Sequence, residues 1–147
     1  MEEIIKVRGD VTITITGPDN QTEVVEHKNL VVNGGKTILS HLLGHDVAYI
    51  NEYIDTIAFG TSGDAPVVTN TALGGEVLAK AATVSYPSYN SVMFSATMLD
   101  TEGGANTFQE LGLKSSGTGI LFSRLVIPSI TKSSLYKIQV DWTISFQ

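Results

Sequence analysis

Two histidines four residues apart, His41 and His45, form the first pair in this sequence whose types and spacing could do chemistry. On a helix that spacing puts two imidazoles on one face, where they could share a metal ion. The metalloprotease version needs a glutamate directly after the first histidine. Leu42 stands there instead, Gly44 interrupts the turn, and His27 is the only other imidazole. The expectation is a pair of surface or helix-end histidines, with no metal site.

Gly34-Gly35-Lys36-Thr37 has the ending of a phosphate-binding loop, whose backbone amides wrap phosphate oxygens. That loop also needs a glycine five residues before its second one, and Leu30 occupies the position. A glycine-rich helix start is the better reading, with no nucleotide or other cofactor. Five carboxylates, Asp55, Asp64, Asp100, Glu102 and Glu110, could supply a glycosidase-like acid and base if two of them were held about 5 to 10 Å apart. Most lie beside glycine-rich turns, where acidic residues are ordinary. No Gly-x-Ser-x-Gly elbow presents a nucleophilic serine, and no alternating-acid calcium loop is present. The chain has no cysteine, so thiol catalysis, disulfides and thiolate metal sites are all excluded.

Arg124 lies inside the run Ile120 to Ile127, which is apolar on both faces except at Ser123 and Arg124. A charge there needs a partner, and Glu110 is the candidate within the chain. A carboxylate on a neighbouring subunit is the alternative, which would make Arg124 an interface residue. Tyr49, Tyr53, Tyr86 and Tyr89 fall in or near loops and could form a sugar-stacking or protein-contact surface, or merely pack at the rim.

The elements that must position these groups are mostly strands. From Tyr136 to Gln147 every even position is apolar (Tyr136, Ile138, Val140, Trp142, Ile144, Phe146) and every odd one polar. That is a half-buried strand about 40 Å long, and a one-residue slip would put Trp142 in water. Val11, Ile13 and Ile15 alternate with threonines, Gly17 to Asn20 is a turn, and Thr22 to Glu26 should return as the hairpin partner. The Asn20-Gln21-Thr22 glycosylation pattern reads as turn chemistry. Asn33 is the expected N-cap of the one helix, whose apolar face is Ile38, Leu39, Leu42 and Leu43, with Gly44 as its stop. Strands are expected at Ile54–Phe59, Val77–Tyr86 and Val92–Leu99, with turns at residues 60–66, 87–90, 101–105 and 115–119 and one helical turn at Asn70–Leu73. The run Ile120 to Ile127 should be covered on both faces, by a second sheet, the helix or another subunit, and Pro128 should end it or mark an edge. Eight or so short strands make an all-β chain with one short helix, an antiparallel β-sandwich or jelly roll, over residues 1–147 as one domain. Residues 1–8, with Ile4 and Ile5, are a candidate N-terminal arm.

Composition narrows the function classes. Charged residues are 16% of the 147, below the usual quarter or so, and the net charge is −6. A nucleic-acid partner is therefore not expected, since phosphate contacts need basic clusters. No apolar run is long enough for a membrane-spanning helix, and the acidic Met1-Glu2-Glu3 start is unlike a signal peptide.

The order of short motifs adds a resemblance. Asn29-Leu30-Val31-Val32-Asn33-Gly34-Gly35 precedes a helix ending Leu42-Leu43-Gly44. Ile57-Ala58-Phe59-Gly60-Thr61-Ser62-Gly63, Thr71-Ala72-Leu73-Gly74-Gly75-Glu76 and Glu110-Leu111-Gly112-Leu113 follow. The series closes with Leu121-Phe122-Ser123-Arg124, Lys132-Ser133 and Val140-Asp141-Trp142-Thr143-Ile144-Ser145-Phe146. Over residues 29 to 146 this resembles small virion structural proteins of tailed bacteriophages, of the capsid decoration (cement) or tail-fibre and baseplate type. The resemblance implies a β-sandwich that works by docking, without catalysis, its motifs serving as fold determinants. The expected function is a decoration protein on the virion capsid surface, made in the host cytoplasm, bound to itself as a homo-oligomer and to the major capsid protein. A tail-fibre or baseplate component or adaptor is the runner-up, and a carbohydrate-binding module the alternative of another class. The expected protein-interface residues are Ile4, Ile5, Arg124, Tyr86 and Tyr89.

Overall fold

The computed structural model describes all of residues 1–147. Ten strands form two five-stranded antiparallel sheets. The strands are β1 (Val7–Thr16), β2 (Thr22–Lys28), β3 (Leu30–Val31), β4 (Thr56–Gly60), β5 (Glu76–Ala81), β6 (Thr83–Ser88), β7 (Ser91–Met98), β8 (Thr107–Lys114), β9 (Leu121–Thr131) and β10 (Lys137–Phe146). The first sheet runs β2-β1-β10-β7-β6 and the second β3-β9-β8-β4-β5. The chain is the expected all-β sandwich with one α-helix, α1 (Asn33–Leu43).

The C-terminal alternation sets the first sheet. β10 sits between β1 and β7, with Val11 and Phe94 flanking Trp142 on either side. Ile138, Val140, Trp142 and Ile144 are buried in a core shared with Ile57, Phe59, Leu111 and Leu113 of the second sheet. Phe59 and Phe108 meet edge to face there, their ring centroids 6.0 Å apart, a geometry that matches ring edge to ring face. Tyr136 lies outside the strand.

Several boundaries depart from the sequence reading, each for a local reason. The expected strand Val77–Tyr86 is two strands, because the chain leaves the second sheet as β5 and enters the first as β6 at Ala82. The Ala82 amide donates to the Asp55 carbonyl at that crossing. The expected turn 87–90 narrows to Tyr89-Asn90, with Pro87 and Ser88 inside β6. Pro128 does not end its strand but does mark an edge, since β3 pairs only with Ser123 and Arg124 and leaves β9 without a partner on that side at Pro128. It falls in an irregular stretch of β9, where the β8 register jumps from Phe108↔Ile130 to Glu110↔Val126, and such a bulge tolerates a residue without an N–H. No helical turn forms at Asn70–Leu73.

The helix begins one residue earlier than expected, with Val32 at the N-cap. Ile38 is buried and Leu39 half-buried, but Leu43 is 90% exposed, so the apolar face is narrower than its leucines suggest. Gly34 and Gly35 press on β9: a Cβ on Gly34 would lie 2.6 Å from the Leu121 carbonyl oxygen, and one on Gly35 would strike that of Phe122. The glycines of the phosphate-loop-like tetrapeptide thus let the helix rest on a strand backbone. The run Ile120–Ile127 is covered on both faces within one chain. Phe122, Leu125 and Ile127 enter the inter-sheet core, while Leu121 packs with Val32, Ala58 and Leu73.

Candidate functional site

The most elaborate polar arrangement lies on the outer face of the second sheet. Glu110 of β8 and Arg124 of β9 are 0% and 2% exposed. Arg124 donates from Nε to Glu110 Oε2 at 2.9 Å, and its Nη2 lies 2.9 Å from the same oxygen. The carboxylate also accepts the amides of Gly75 at 2.7 Å, Gly74 at 3.0 Å and Ser62 at 3.2 Å. Arg124 Nη1 reaches Asn70 Oδ1, which accepts the Val67 amide. Residues 61–75 are thereby fastened across β4, β8 and β9 and roof the sheet. The roof lies close: a Cβ on Gly112 would sit 2.8 Å from Leu73.

Burial alone would raise the Glu110 pKa. The amides of Gly74 and Gly75, the Arg124 guanidinium and the Ser62 amide outweigh it and hold the carboxyl below its ordinary 4.5. A carboxylate depressed by folding stabilises the fold above its unfolded pKa, and that stabilisation fades as pH falls through the folded value. The melting temperature should therefore begin to drop as pH goes below about 4.5. Part of that drop should be missing in Glu110→Gln, as melts from about pH 6 to pH 3 would show. An unchanged acid slope in the variant would refute the assignment.

Arg124 is thus an internal structural partner, and the interface role expected for it is corrected: its guanidinium lies under residues 61–75 and is spent on Glu110 and Asn70. Three of the other four carboxylates are separately engaged. Asp55 accepts the Ser116 amide at 2.8 Å, the Ser116 hydroxyl and the Thr56 hydroxyl, binding the 115–119 turn. Burial would raise its pKa, but those hydrogen bonds lower it. Glu102 takes Lys80 Nζ at 2.7 Å and the Leu99 amide, and both interactions lower its pKa. Asp64 sits exposed in the 61–66 stretch, and Asp100 caps the next residue, Thr101.

His41 Nδ1 lies 2.7 Å from Asp46 Oδ2 and its ring stacks on Tyr49 at 4.1 Å. His45 leaves the helix in the left-handed region with φ 54°, so the two imidazoles do not share a helical face. Lys132 was not legible as a site. It is buried, donates to the carbonyls of Asp100 and Ser133, and has a pKa lowered by burial. It closes the 99–106 turn against the end of the sandwich.

Part of the exposed surface is apolar. Ile4 and Ile5 are 74% and 67% exposed, and Tyr86 and Tyr89 project fully or nearly so. The arm is shorter than residues 1–8, since Val7 and Arg8 pair with Phe146 and Ser145. Lys6 and Gln147 exchange amide–carbonyl hydrogen bonds, which leaves Met1–Ile5 free. Between α1 and β6 runs a groove of about 370 Å³ lined only by hydrophobic residues, among them Leu42, Tyr53, Val84, Tyr86 and Phe94. Sequence reading found its tyrosines but missed the groove, because its walls come from distant segments. No helix is long and apolar enough to cross a membrane. Comparison with family models, with curated proteins and with solved structures gives no match to this chain.

Proposed function

We propose that this chain is a non-enzymatic structural protein of a tailed-bacteriophage virion, a capsid decoration protein that docks on the shell and stabilises it. The observation that carries the reading is how the chain spends its residues. Five of its six ionisable groups with perturbed environments, Glu110, Asp55, Glu102, Lys132 and Asp46, are bound to partners that hold turns and loops, and the sixth, Arg8, pairs with Asp10 of its own strand. Apolar residues also stand exposed at the surface, among them Ile4, Ile5, Tyr86 and Tyr89. Such a distribution suits a protein that works by contact. The motif series fits the same reading, since Gly34, Gly35, Gly74, Gly75, Leu111, Leu113 and Trp142 all act as packing or clamp residues.

In this reading the protein binds itself and the major capsid protein, and the Met1–Ile5 arm adds a strand to a neighbour's sheet edge. Immunogold labelling of intact virions tests the location. Gold over the head supports decoration, gold confined to the tail promotes a tail-fibre or baseplate component, and blank particles with blank detergent-opened controls remove the virion assignment. Deleting residues 1–5 should lower virion occupancy several-fold while leaving the melting temperature unchanged. Undiminished occupancy would discard the arm's role. The exposure of Tyr86 and Tyr89 favours one second reading, a carbohydrate-binding module, because free aromatic faces stack on sugars. Glycan-array binding abolished by Tyr86→Ala or Tyr89→Ala would support it.

A further inference from the structure

Each sheet of the sandwich has two free edges, and three of the four are guarded. β2, Thr-Glu-Val-Val-Glu-His-Lys, carries Glu23, Glu26 and Lys28. β5 carries Glu76 and Lys80, already bound to Lys114 and Glu102. β3 is two residues long, and the β9 stretch beyond it, unpaired on that side, is interrupted by Pro128 and a bulge. Charge, shortness, proline and bulges are the usual devices that keep sheet edges from pairing with other chains.

The fourth edge, β6, carries no charge, and its Pro87 and register break lie at its C-terminal end, leaving Thr83–Tyr86 open. Its sequence is Thr-Val-Ser-Tyr-Pro-Ser and every residue is exposed. The neutrality extends well past the strand: from Ala81 to Leu99 there is no Asp, Glu, Lys, Arg or His. Beside it opens the all-hydrophobic groove, to which β6 contributes Val84 and Tyr86.

We infer that β6 is a self-association edge, where two copies pair antiparallel about a two-fold axis and the first sheet continues across both. Charge decides the occupant. Two copies of a chain with net charge −6 repel each other. A two-fold pairing through β2 would gather the Glu23 and Glu26 of both copies in one ladder. Through β6 the ladder and its surroundings are neutral, so a second copy approaches there at the least electrostatic cost. An isologous contact needs a self-complementary surface, and a neutral, hydroxyl-bearing and aromatic edge is complementary to itself. Pro87 has no N–H to donate, and the register against β7 breaks between Ser85 and Ser88. The ladder is therefore limited to Thr83–Tyr86. Such a short ladder is weak alone, and the groove supplies further area when the partner's tyrosines cover it. This specifies the homo-oligomer of the virion reading but rests on edge chemistry, so a monomer in solution would sink it without touching attachment to a shell.

The chain contains no cysteine, so a single introduced thiol can cross-link only to its counterpart in another copy. Opposed residues in an antiparallel ladder have Cα atoms about 4.5 to 5.5 Å apart, within disulfide reach. We expect Thr83→Cys, Val84→Cys, Ser85→Cys and Tyr86→Cys, oxidised in turn, to give covalent dimer at one or two positions. Val24→Cys on β2 should give none. By sedimentation the unsubstituted protein should be a dimer. Val84→Glu and Val84→Lys should each be monomers that still melt cooperatively, and an equal mixture of the two should recover the dimer. A monomeric unsubstituted protein, or cross-linking on β2 in place of β6, would overturn the inference. So would a dimer that survives Val84→Glu but is lost when residues 1–5 are removed, which would assign the contact to the arm.

Discussion

Replacing Glu110 with alanine should lower the melting temperature by roughly 6–20 °C. The change strands the Arg124 guanidinium at 2% exposure and removes the acceptor of three amides, Ser62, Gly74 and Gly75. Breaking one half of a buried ion pair costs about 3–5 kcal/mol, and in a domain of this size each kcal/mol is worth roughly 2–4 °C. Glu110→Gln should also destabilise, because its amide nitrogen would face donors. The double variant Glu110→Leu with Arg124→Met should be more stable than Glu110→Leu alone, since no buried charge is left unpaired. It should remain below the parent, because the three amides still lack an acceptor. Melts of the parent and the four variants check this, and a Glu110→Ala melt within about 2 °C of the parent would refute the clamp.

The second large effect is expected at Trp142. It is fully buried between Val11 and Phe94 on neighbouring strands, and truncation to alanine should cost about 3–5 kcal/mol through lost burial and the cavity left behind. Trp142→Phe should cost much less than its lost area suggests. The indole Nε1 is buried without a hydrogen-bond partner in the chain, and removing an unpartnered buried donor recovers about 1–3 kcal/mol. Chemical denaturation followed by far-ultraviolet circular dichroism separates the cases. Equal losses for the two substitutions would mean that the donor carries no penalty.

The parts of this architecture written in local periodicity were legible beforehand. The alternation in β1 and β10 defined which side chains enter the core, because a strand's period of two has one consistent burial. The pairing of Arg124 with Glu110 was legible from cost: a charge inside a two-faced apolar run must find a countercharge. What closes over that pair was not. Residues 61–75 have no periodic pattern, and their role comes from amides that any sequence possesses, placed by Gly74 and Gly75. The crossing at Ala82 was equally hidden, since β5 and β6 read as one continuous run until the two sheets separate them. Leu43 misled for the opposite reason: it has the right helical spacing, but α1 rests on β9 through its glycines, and one side of the helix stays uncovered.

The placement of β10 has a kinetic consequence. Its partners are β1, from the opposite end of the sequence, and β7, with Val7 opposite Phe146 and Ile138 opposite Met98. The middle of the first sheet is thus assembled from the most distant parts of the chain, and its loop-closure entropy is spent before the central ladder returns anything. Such topology places folding in the slow, milliseconds-to-seconds class typical of β-sandwiches. Until β10 arrives, β1 and β7 each expose a long unpaired edge. Assembly of several copies must then wait for the monomer to close, because before closure every half-built sheet offers a competing edge for wrong pairing.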